Sequence, residues 1–133
     1  MSPPAPFLAR RAELARRAES LAAAELERAG LRILERNWRR PEGELDLIAI
    51  AADGTCVFCE VRSRTGDETG DPLEAIGPRK QQQVIRTARL YLAEVITPPG
   101  VTGYRFDVVA VTFHDDNRPP HLVHIPAAFE TTP

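Results

Sequence analysis

The sequence predicts an α/β domain in which a sheet is covered by helices, in the chain order helix, three strands, helix and two strands. Two observations lead to this prediction. Residues 44–51 and 55–64 read as strands that are apolar on both faces apart from a few charged positions, and such strands are buried under helices on both sides. Amphipathic helical patterns stand before and after the first three strands, where they can supply that cover.

The first helix is predicted over residues 7–29, because apolar residues recur there at alternating spacings of four and three. Gly30 follows as a natural residue for the position just past a helix end. Glu19 falls within the apolar stripe and is its one charged residue. Residues 1–6 are Pro-rich and are expected to form a disordered tail, which leaves 7–130 as a single domain. The stripe consists of Leu8, Ala12, Ala15, Ala22, Leu26 and Ala29.

The turn between the second and third strands decides how their side chains pair. A two-residue turn would set Asp46 opposite Val61 and put Glu60 on the other face. A three-residue loop over residues 52–54 shifts the pairing by one residue and sets Asp46 directly opposite Glu60. That loop needs a left-handed residue at its third position, and Gly54 supplies it. The sequence leaves both registers open.

The remaining elements follow from turn signals and apolar spacing. The first strand is predicted over residues 31–39. A second helix opens at the Gly-Pro pair at 77–78, because proline suits the first helical position, and it ends by the turn residues 98–100. Strands are predicted at 104–113 and, as a short strand at the sheet edge, at 121–125.

Two carboxylates, Asp46 and Glu60, lie in otherwise apolar strands. A carboxylate there is costly unless a cation, a proton or hydrogen bonds compensate it, and two facing carboxylates repel unless a metal ion lies between them. Mg²⁺, or Mn²⁺ in its place, prefers such oxygen ligands, and the Val61 carbonyl is a further candidate ligand. The hypothesis is metal-dependent phosphodiester chemistry. The alternative is a salt bridge, because Arg62 and Arg64 share the face of Glu60, and spacing alone does not separate the two.

Three further side chains are candidates for catalytic roles. Arg62 would orient a water molecule or stabilise charge on a phosphate, but it stays protonated and cannot act as a general base. Glu19 would be a third carboxylate near the metal; otherwise it is a solvated residue at the margin of its stripe. Lys80, with Gln81, begins the second helix, where the macrodipole and free N–H groups favour a phosphate; otherwise this is a solvated first turn.

A nucleic-acid contact surface is a separate prediction. Trp38 stands among arginines, and an aromatic side chain beside cations is typical of single-strand binding; a partly buried tryptophan under flexible arginines explains the pattern equally well. The net charge of −2 gives no globally basic footprint, and composition bias explains most of the arginines. The residues expected to contact nucleic acid are Arg36, Arg39, Arg40, Arg64, Lys80 and Gln81.

Composition excludes several classes of protein. A chain of 133 residues suits one domain with one core, and no apolar run approaches the length of a membrane span. The arginine-rich N-terminus lacks the apolar segment of a signal peptide, so a cytoplasmic location is expected. Cys56 and Cys59 point to opposite faces of a strand and are expected to be core residues. Arg105 and Asp107 are expected to form a structural ion pair.

Residues 43–48 (GELDLI) and 57–64 (VFCEVRSR) resemble the YraN family of bacterial proteins. That family belongs by similarity to the PD-(D/E)XK nuclease superfamily and is described as Holliday-junction-resolvase-like. The resemblance covers roughly residues 15–111. Its other matching positions are Glu19, Ala22, Leu26, Gly30, Ile33, Leu34, Arg36, Asn37, Lys80, Ala88, Tyr91, Leu92 and residues 105–107.

The resemblance implies a restriction-endonuclease-like fold, a mixed central sheet flanked by helices with the core order αβββαβ. It also implies Asp46 and Glu60 as metal ligands and Glu19 as the acid of the first helix. Position 62 would be the motif lysine, but Arg62 stands there, and Lys80 is a candidate replacement.

The implied activity is Mg²⁺-dependent endonuclease hydrolysis of DNA, with structured or branched DNA as the expected substrate. Resolvase-type cleavage requires two sites and therefore a homodimer. The alternative is a catalytically impaired nuclease-fold module that binds nucleic acid or a protein partner, which the arginine at position 62 and the acidic net charge favour.

Overall fold

The computed structural model describes residues 5–66, 76–95 and 100–130. Within these residues the strands form one five-stranded sheet in the order β1-β2-β3-β4-β5, in which β3 and β4 pair in parallel and the other neighbours are antiparallel. The predicted α/β class, the order of elements and the mixed, restriction-endonuclease-like sheet are confirmed. The elements are α1 (Ala5–Arg28), β1 (Arg32–Arg40), β2 (Gly43–Ile50), β3 (Thr55–Thr65), α2 (Pro78–Glu94), β4 (Gly103–Phe113) and β5 (His121–Phe129).

Helix α1 begins two residues earlier than predicted, because Pro6 is tolerated in a first helical turn. Residues 1–4 of the predicted tail lie outside the described residues. The helix ends as predicted before Gly30, whose φ of +91° is left-handed. The N–H of Leu31 then donates to the carbonyl of Leu26 at 3.0 Å and satisfies one of the last helical carbonyls.

The sheet separates two apolar cores. Cys56 is buried in the core on the α2 side and Cys59 in the core on the α1 side, and both are free thiols. Their predicted role as core residues is confirmed. The α1-side core includes Ala22, Leu26, Leu47, Val57 and Val109. The α2-side core includes Trp38, Leu45, Phe58, Val84, Tyr91 and Phe106.

The turn between β2 and β3 is the three-residue loop. Leu47 pairs with Cys59, which is the register of the three-residue loop. Among the described residues this ladder ends at Leu47, one residue before Asp46 would pair with Glu60. Gly54 has a φ of +93°, the left-handed conformation that this loop requires at its third position. The register of the three-residue loop is therefore confirmed. Glu60 nevertheless faces the α2 side of the sheet, because its neighbours Cys59 and Val61 pack in the α1-side core.

Strand β5 lies at the sheet edge as predicted, but it continues past residue 125 to Phe129. Asp107 on β4 secures this longer strand, because it accepts a hydrogen bond from the Ala127 N–H at 3.0 Å and lies 2.8 Å from Nε2 of His124. Arg105 donates to both oxygens of Asp107 at 2.9 and 3.1 Å, so the predicted structural pair is confirmed. Among the described residues, no helix is long and apolar enough to cross a membrane.

Candidate metal and nucleic-acid site

The candidate site lies where the regular alternation of side chains along β2 is interrupted. Leu45 packs in the α2-side core and Leu47 in the α1-side core, although residues two apart in a regular strand face the same side. The change therefore occurs at Asp46. In the neighbouring strand β1, Asn37 has a φ of +52°, a left-handed conformation for which asparagine is enriched. The two strands are thus locally irregular at the position that carries the carboxylate.

At this point the two carboxylates accept hydrogen bonds from main-chain N–H groups of the paired strands. The N–H of Val61 donates to Oδ2 of Asp46 at 2.9 Å, and the N–H of Asp46 donates to Oε2 of Glu60 at a longer 3.4 Å. Each acid is therefore bonded to the strand that carries the other. From the described residues, Oδ1 of Asp46 and Oε1 of Glu60 accept no hydrogen bond, although Oε1 lies at ion-pair distance from two cationic side chains.

Burial makes both acids reluctant to ionise. The Glu60 residue is 1% exposed, and this burial, with the nearby Asp46 carboxylate, raises the pKa of Glu60 to about 8. Burial also raises the pKa of Asp46, although the hydrogen bond from the Val61 N–H opposes the rise. Adjacent acids of this kind require a shared proton or a cation, so the donor set is suited to a divalent metal ion.

Two cationic side chains converge on Glu60. Nη2 of Arg62 and Nζ of Lys80 each lie 3.9 Å from its Oε1. Arg62 belongs to β3 and Lys80 to the first turn of α2, so the helix brings the candidate replacement lysine to the Glu60 carboxylate. Nη1 of Arg62 also donates to the carbonyl of Val61 at 3.3 Å, and that carbonyl is the one predicted as a metal ligand.

A cavity of about 280 Å³ opens beside Asp46. Glu19 lines it from α1 and is held by Asn37, whose Nδ2 donates to Oε2 of Glu19 at 3.0 Å. Glu60 is buried and does not contribute to the lining. The lining residues are Arg11, Ala15, Ala18 and Glu19 of α1, Asp46 of β2 and residues 61–63 of β3. The cavity therefore brings three predicted catalytic residues together, namely Glu19, Asp46 and Arg62.

The acidic side chains near Asp46 are Glu60 and Glu19. Within the described ranges, no three Asp, Glu, His or Cys side chains approach closely enough to hold a metal ion together. Glu19 lines the same cavity as Asp46. Mg²⁺ suits this arrangement, because it is usually bound through one or two carboxylates and keeps several waters.

The model of the uncharacterised protein family UPF0102 matches residues 18–111 of this chain. The chain belongs to the UPF0102 family. The matched region contains all of the predicted metal ligands and catalytic residues, and the predicted YraN-type family is confirmed. The fold agrees with the one expected of a PD-(D/E)XK superfamily member.

Several UPF0102 proteins are similar over almost the whole chain. The protein from Anaeromyxobacter dehalogenans is 45% identical over 122 residues, which cover 90% of this chain and 86% of the relative. The protein from Pseudomonas aeruginosa is 44% identical over 115 residues, covering 86% and 90%. The protein from Acidothermus cellulolyticus is 42% identical over 128 residues, covering 90% and 95%.

Two of the arginines predicted to contact nucleic acid are ion-paired in this UPF0102 protein. Arg39 lies 3.2 Å from Glu44, and Arg40 lies 2.9 Å from Glu94. The guanidinium of Arg40 also lies 4.2 Å from the ring centroid of Trp38, which is only 7% exposed. Trp38 is thus a buried tryptophan under an arginine, and its ring is not available for base stacking.

The other predicted contact residues occupy varied positions. Arg36 is exposed on β1, and Arg64 is half-buried near the end of β3. Gln81 donates from Nε2 to the carbonyl of Ile76 at 2.9 Å, so its side chain braces the entry to α2. Lys80 points towards Glu60. These residues therefore stand on three different elements around the sheet.

Three residues of the site were not indicated by the sequence analysis: Arg11, Asn37 and Ser63. Arg11 carried a usable signal, because Arg11, Ala15 and Glu19 are spaced by four and share one helical face. Asn37 carried a weaker one, since asparagine is depleted in strands and its presence there suggests an irregular backbone. Ser63 has no distinguishing signal in the sequence.

Proposed function

We propose that this UPF0102 protein is a divalent-metal-dependent endonuclease that hydrolyses phosphodiester bonds in DNA, with structured or branched DNA as its substrate. The observation that carries the proposal is the pair Asp46 and Glu60. Each acid is hydrogen-bonded to the other's strand, and one oxygen of each accepts no hydrogen bond from the described residues. A purely structural ion pair does not need two neighbouring acids whose pKa values are both raised.

The residues of the site fit Mg²⁺ or Mn²⁺. The carboxylates of Asp46 and Glu60, with the carbonyl of Val61, would hold the ion. When bound, it would supply a Lewis acid that activates a water molecule and neutralises charge on the phosphate. Lys80 and Arg62 offset the charge of Glu60 and would stabilise negative charge that develops on the phosphate.

Glu19 acts on the cavity side of the site. Its carboxylate is held by Asn37 at 3.0 Å, and it lines the same cavity as Asp46. A fixed carboxylate there can orient a water molecule by accepting its hydrogen bond. Arg62 cannot take a proton from that water, because the guanidinium remains protonated. The acidic side chains therefore hold any proton-accepting role in this cavity.

A catalytically impaired module that binds nucleic acid or a protein partner is the second candidate. One observation favours it: Nη1 of Arg62 donates to the Val61 carbonyl, the oxygen that a metal ion would also use. A lysine ammonium at this position would be a compact point charge, whereas the guanidinium is broad and planar. Arginine at position 62 thus competes for a ligand that the endonuclease needs.

The proposed partner is DNA, and the proposed active species on a four-way junction is a homodimer. Each chain offers one site made of Asp46 and Glu60, while resolution of a junction requires two cuts. A C2-symmetric pair of chains would present the two sites in equivalent positions.

Cleavage of labelled duplex, single-stranded and four-way-junction DNA in Mg²⁺ or Mn²⁺ tests the proposal. The variants are Asp46→Ala, Arg62→Lys and, as a matched control, Asp115→Ala, whose carboxylate is exposed. We expect Asp46→Ala to lose activity by roughly a hundredfold or more, as removal of one charge-stabilising group typically does. The control should cleave as the natural protein does.

Equal cleavage by the natural protein and Asp46→Ala would overturn the assignment of the site. Cleavage by Arg62→Lys alone would establish the second candidate, with position 62 as the cause of the impairment. If neither the natural protein nor any variant cleaves DNA but DNA binding persists, the protein is a binding module, and Arg62 is not the cause of its inactivity.

A further inference from the structure

A second cavity, of about 410 Å³, adjoins the one beside Asp46. We refer to it as the α1 cavity. It shares Arg11 and Ser63 with its neighbour, so the two cavities adjoin along the N-terminal half of α1, and we refer to them together as the trough. Its lining comprises Phe7, Arg10, Arg11 and Leu14 of α1 and residues 63–65 of β3.

The α1 cavity is cationic. Arg10 and Arg11 are exposed, and in the part of the chain that the structure describes neither forms an ion pair with a carboxylate. Arg28, near the other end of the same helix, is by contrast paired with Glu25. Guanidinium groups that are not engaged by an acid are suited to bidentate contact with a phosphate.

The α1 cavity also contains an exposed aromatic ring. Phe7 is 50% exposed, and the guanidinium of Arg11 lies 5.9 Å from its ring centroid. An aromatic face beside cationic groups is the combination that binds single-stranded nucleic acid, by stacking a base and neutralising the backbone. A base inside a duplex is stacked between its neighbours on both faces, so the ring selects a nucleotide that lies outside the duplex stack.

We propose that the α1 cavity is a subsite for a single-stranded segment of nucleic acid. A backbone phosphate lies against Arg10 and Arg11, and an unpaired base stacks on Phe7. The position of the cleaved phosphodiester bond beside Asp46 rests on the proposed endonuclease function. If that function holds, the substrate carries an overhang, flap or unpaired strand next to the cleaved bond, and a blunt duplex fills only part of the trough.

The test is fluorescence anisotropy with a labelled blunt duplex and the same duplex carrying a short single-stranded overhang, both in EDTA so that cleavage cannot occur. The variants are Arg11→Gln and Phe7→Leu, which keeps an apolar side chain but removes the ring. Arg16→Gln is the matched control, because Arg16 is also exposed on α1 and a spacing of five residues turns it away from Arg11.

The natural protein should bind the overhang duplex more tightly than the blunt duplex. Arg11→Gln should weaken overhang binding by roughly tenfold and make the log–log salt dependence shallower by about 0.7, the value for one lost contact to a single strand. Phe7→Leu should weaken it by roughly five- to tenfold through lost stacking, with the salt dependence unchanged. Arg16→Gln should change neither.

Equal affinity for the two duplexes would overturn the subsite, as would equal losses in Arg11→Gln and Arg16→Gln. Unchanged affinity of Phe7→Leu for the overhang duplex would also overturn the subsite. The exposed Phe7 ring would then be a candidate for contact with a protein. Because binding is measured without cleavage, the two proposals separate. If DNA binds through Arg11 and Phe7 but is not cleaved in the presence of metal, the subsite is supported and the endonuclease proposal is contradicted. If DNA is cleaved and neither residue affects binding or cleavage, the endonuclease proposal is supported and the subsite is contradicted.

Discussion

Glu60 is the acidic residue of the site whose burial is most costly and most depends on compensating contacts. Its carboxylate is almost fully removed from water, and a buried acid of this kind is costly unless it is neutralised or paired. The Asp46 N–H offers it a long hydrogen bond, and the two cationic groups remain 3.9 Å away. These contacts compensate the burial only in part, which is why the pKa of Glu60 stays raised.

The raised pKa of Glu60 predicts an unusual dependence of stability on pH. The ordinary value is 4.5 and the folded value is about 8, so the folded protein holds a proton that the unfolded chain releases. Without metal, the free energy of unfolding should therefore be highest below pH 4.5 for this group and fall as the pH rises through 8, by on the order of a few kcal/mol. Asp46 acts in the same direction.

Urea denaturation in EDTA between pH 5 and 9 checks this prediction. Glu60→Gln keeps the size of the side chain and removes the titrating proton, so its stability should change with pH much less than that of the natural protein. Identical pH profiles for the natural protein and Glu60→Gln would show that Glu60 is ionised in the folded state throughout.

At this scale the sequence predicted the carboxylates well, because an acid in an apolar strand is conspicuous. It predicted less of what surrounds them. The contact of Lys80 with Glu60 depends on how α2 packs on the sheet, which spacing along the chain does not give. The ion pairs that engage Arg39 and Arg40 depend on Glu44 of the next strand and Glu94 of α2 in the same way.

The hairpin of β2 and β3 is the element that makes the site. Gly54 fixes its loop at three residues, and the N–H of Thr102 donates to the Gly54 carbonyl at 3.0 Å, which ties the loop to the chain entering β4. A shift of one residue in this pairing would move Glu60 away from Asp46 and turn its side chain to the other face of the sheet. The position of one glycine thus determines whether the acids meet.

Gly54→Ala should therefore damage both stability and the site. An added Cβ would lie 2.0 Å from the carbonyl oxygen of Gly100, and the φ of +93° disfavours any side chain. We expect a loss of about 3 kcal/mol or more, because backbone strain of about 1 kcal/mol and a clash with main-chain atoms add together. Urea denaturation measures it.

Gly30→Ala is the control for this prediction. Its φ of +91° is similar, but nothing lies within 4 Å of an added Cβ. It should lose only the conformational part, about 1 kcal/mol. Equal losses in the two variants would show that the contact with Gly100 has no energetic weight in the loop.

Element by element, the sequence predicted the strands and helices to within a few residues, because apolar spacing and Gly or Pro signals mark their ends. It left the register open, since both loop lengths satisfy those signals. The local irregularity at Asn37 and Asp46 was not predictable from spacing. It arises from packing, because Leu45 and Leu47 fill cores on opposite sides of the sheet.

Two apolar cores and the attachment of the edge strand β5 to β4 hold the whole molecule together. Asp107, which is fully buried, joins β4 to β5 through Ala127 and His124 and also pairs with Arg105. Burial works against ionisation, but the hydrogen bonds from His124 and Arg105 outweigh it and lower the pKa of Asp107. Its contribution to stability is therefore present above its ordinary pKa of 3.8 and is lost as the pH falls further.

Asp107→Asn should destabilise the fold by about 2 to 4 kcal/mol at neutral pH, because it leaves a partly buried arginine and a histidine with a weaker, neutral partner. Urea denaturation measures the loss. Asp116→Asn is the control: Asp116 also pairs with an arginine, Arg118, but in full exposure, and should show no measurable change. A tolerated Asp107→Asn would mean that β5 is held by its ladder and apolar contacts alone.

The most direct test of the site is calorimetric titration of Mn²⁺ into the protein at pH 8 in the absence of DNA, with Asp46→Ala and Asp115→Ala beside it. We expect the natural protein and Asp115→Ala to bind the ion, with tighter binding at pH 8 than at pH 6 because the ion displaces protons from Glu60 and Asp46. Asp46→Ala should bind none. Unchanged binding by Asp46→Ala, or no binding by the natural protein at either pH, would contradict a metal site at these carboxylates.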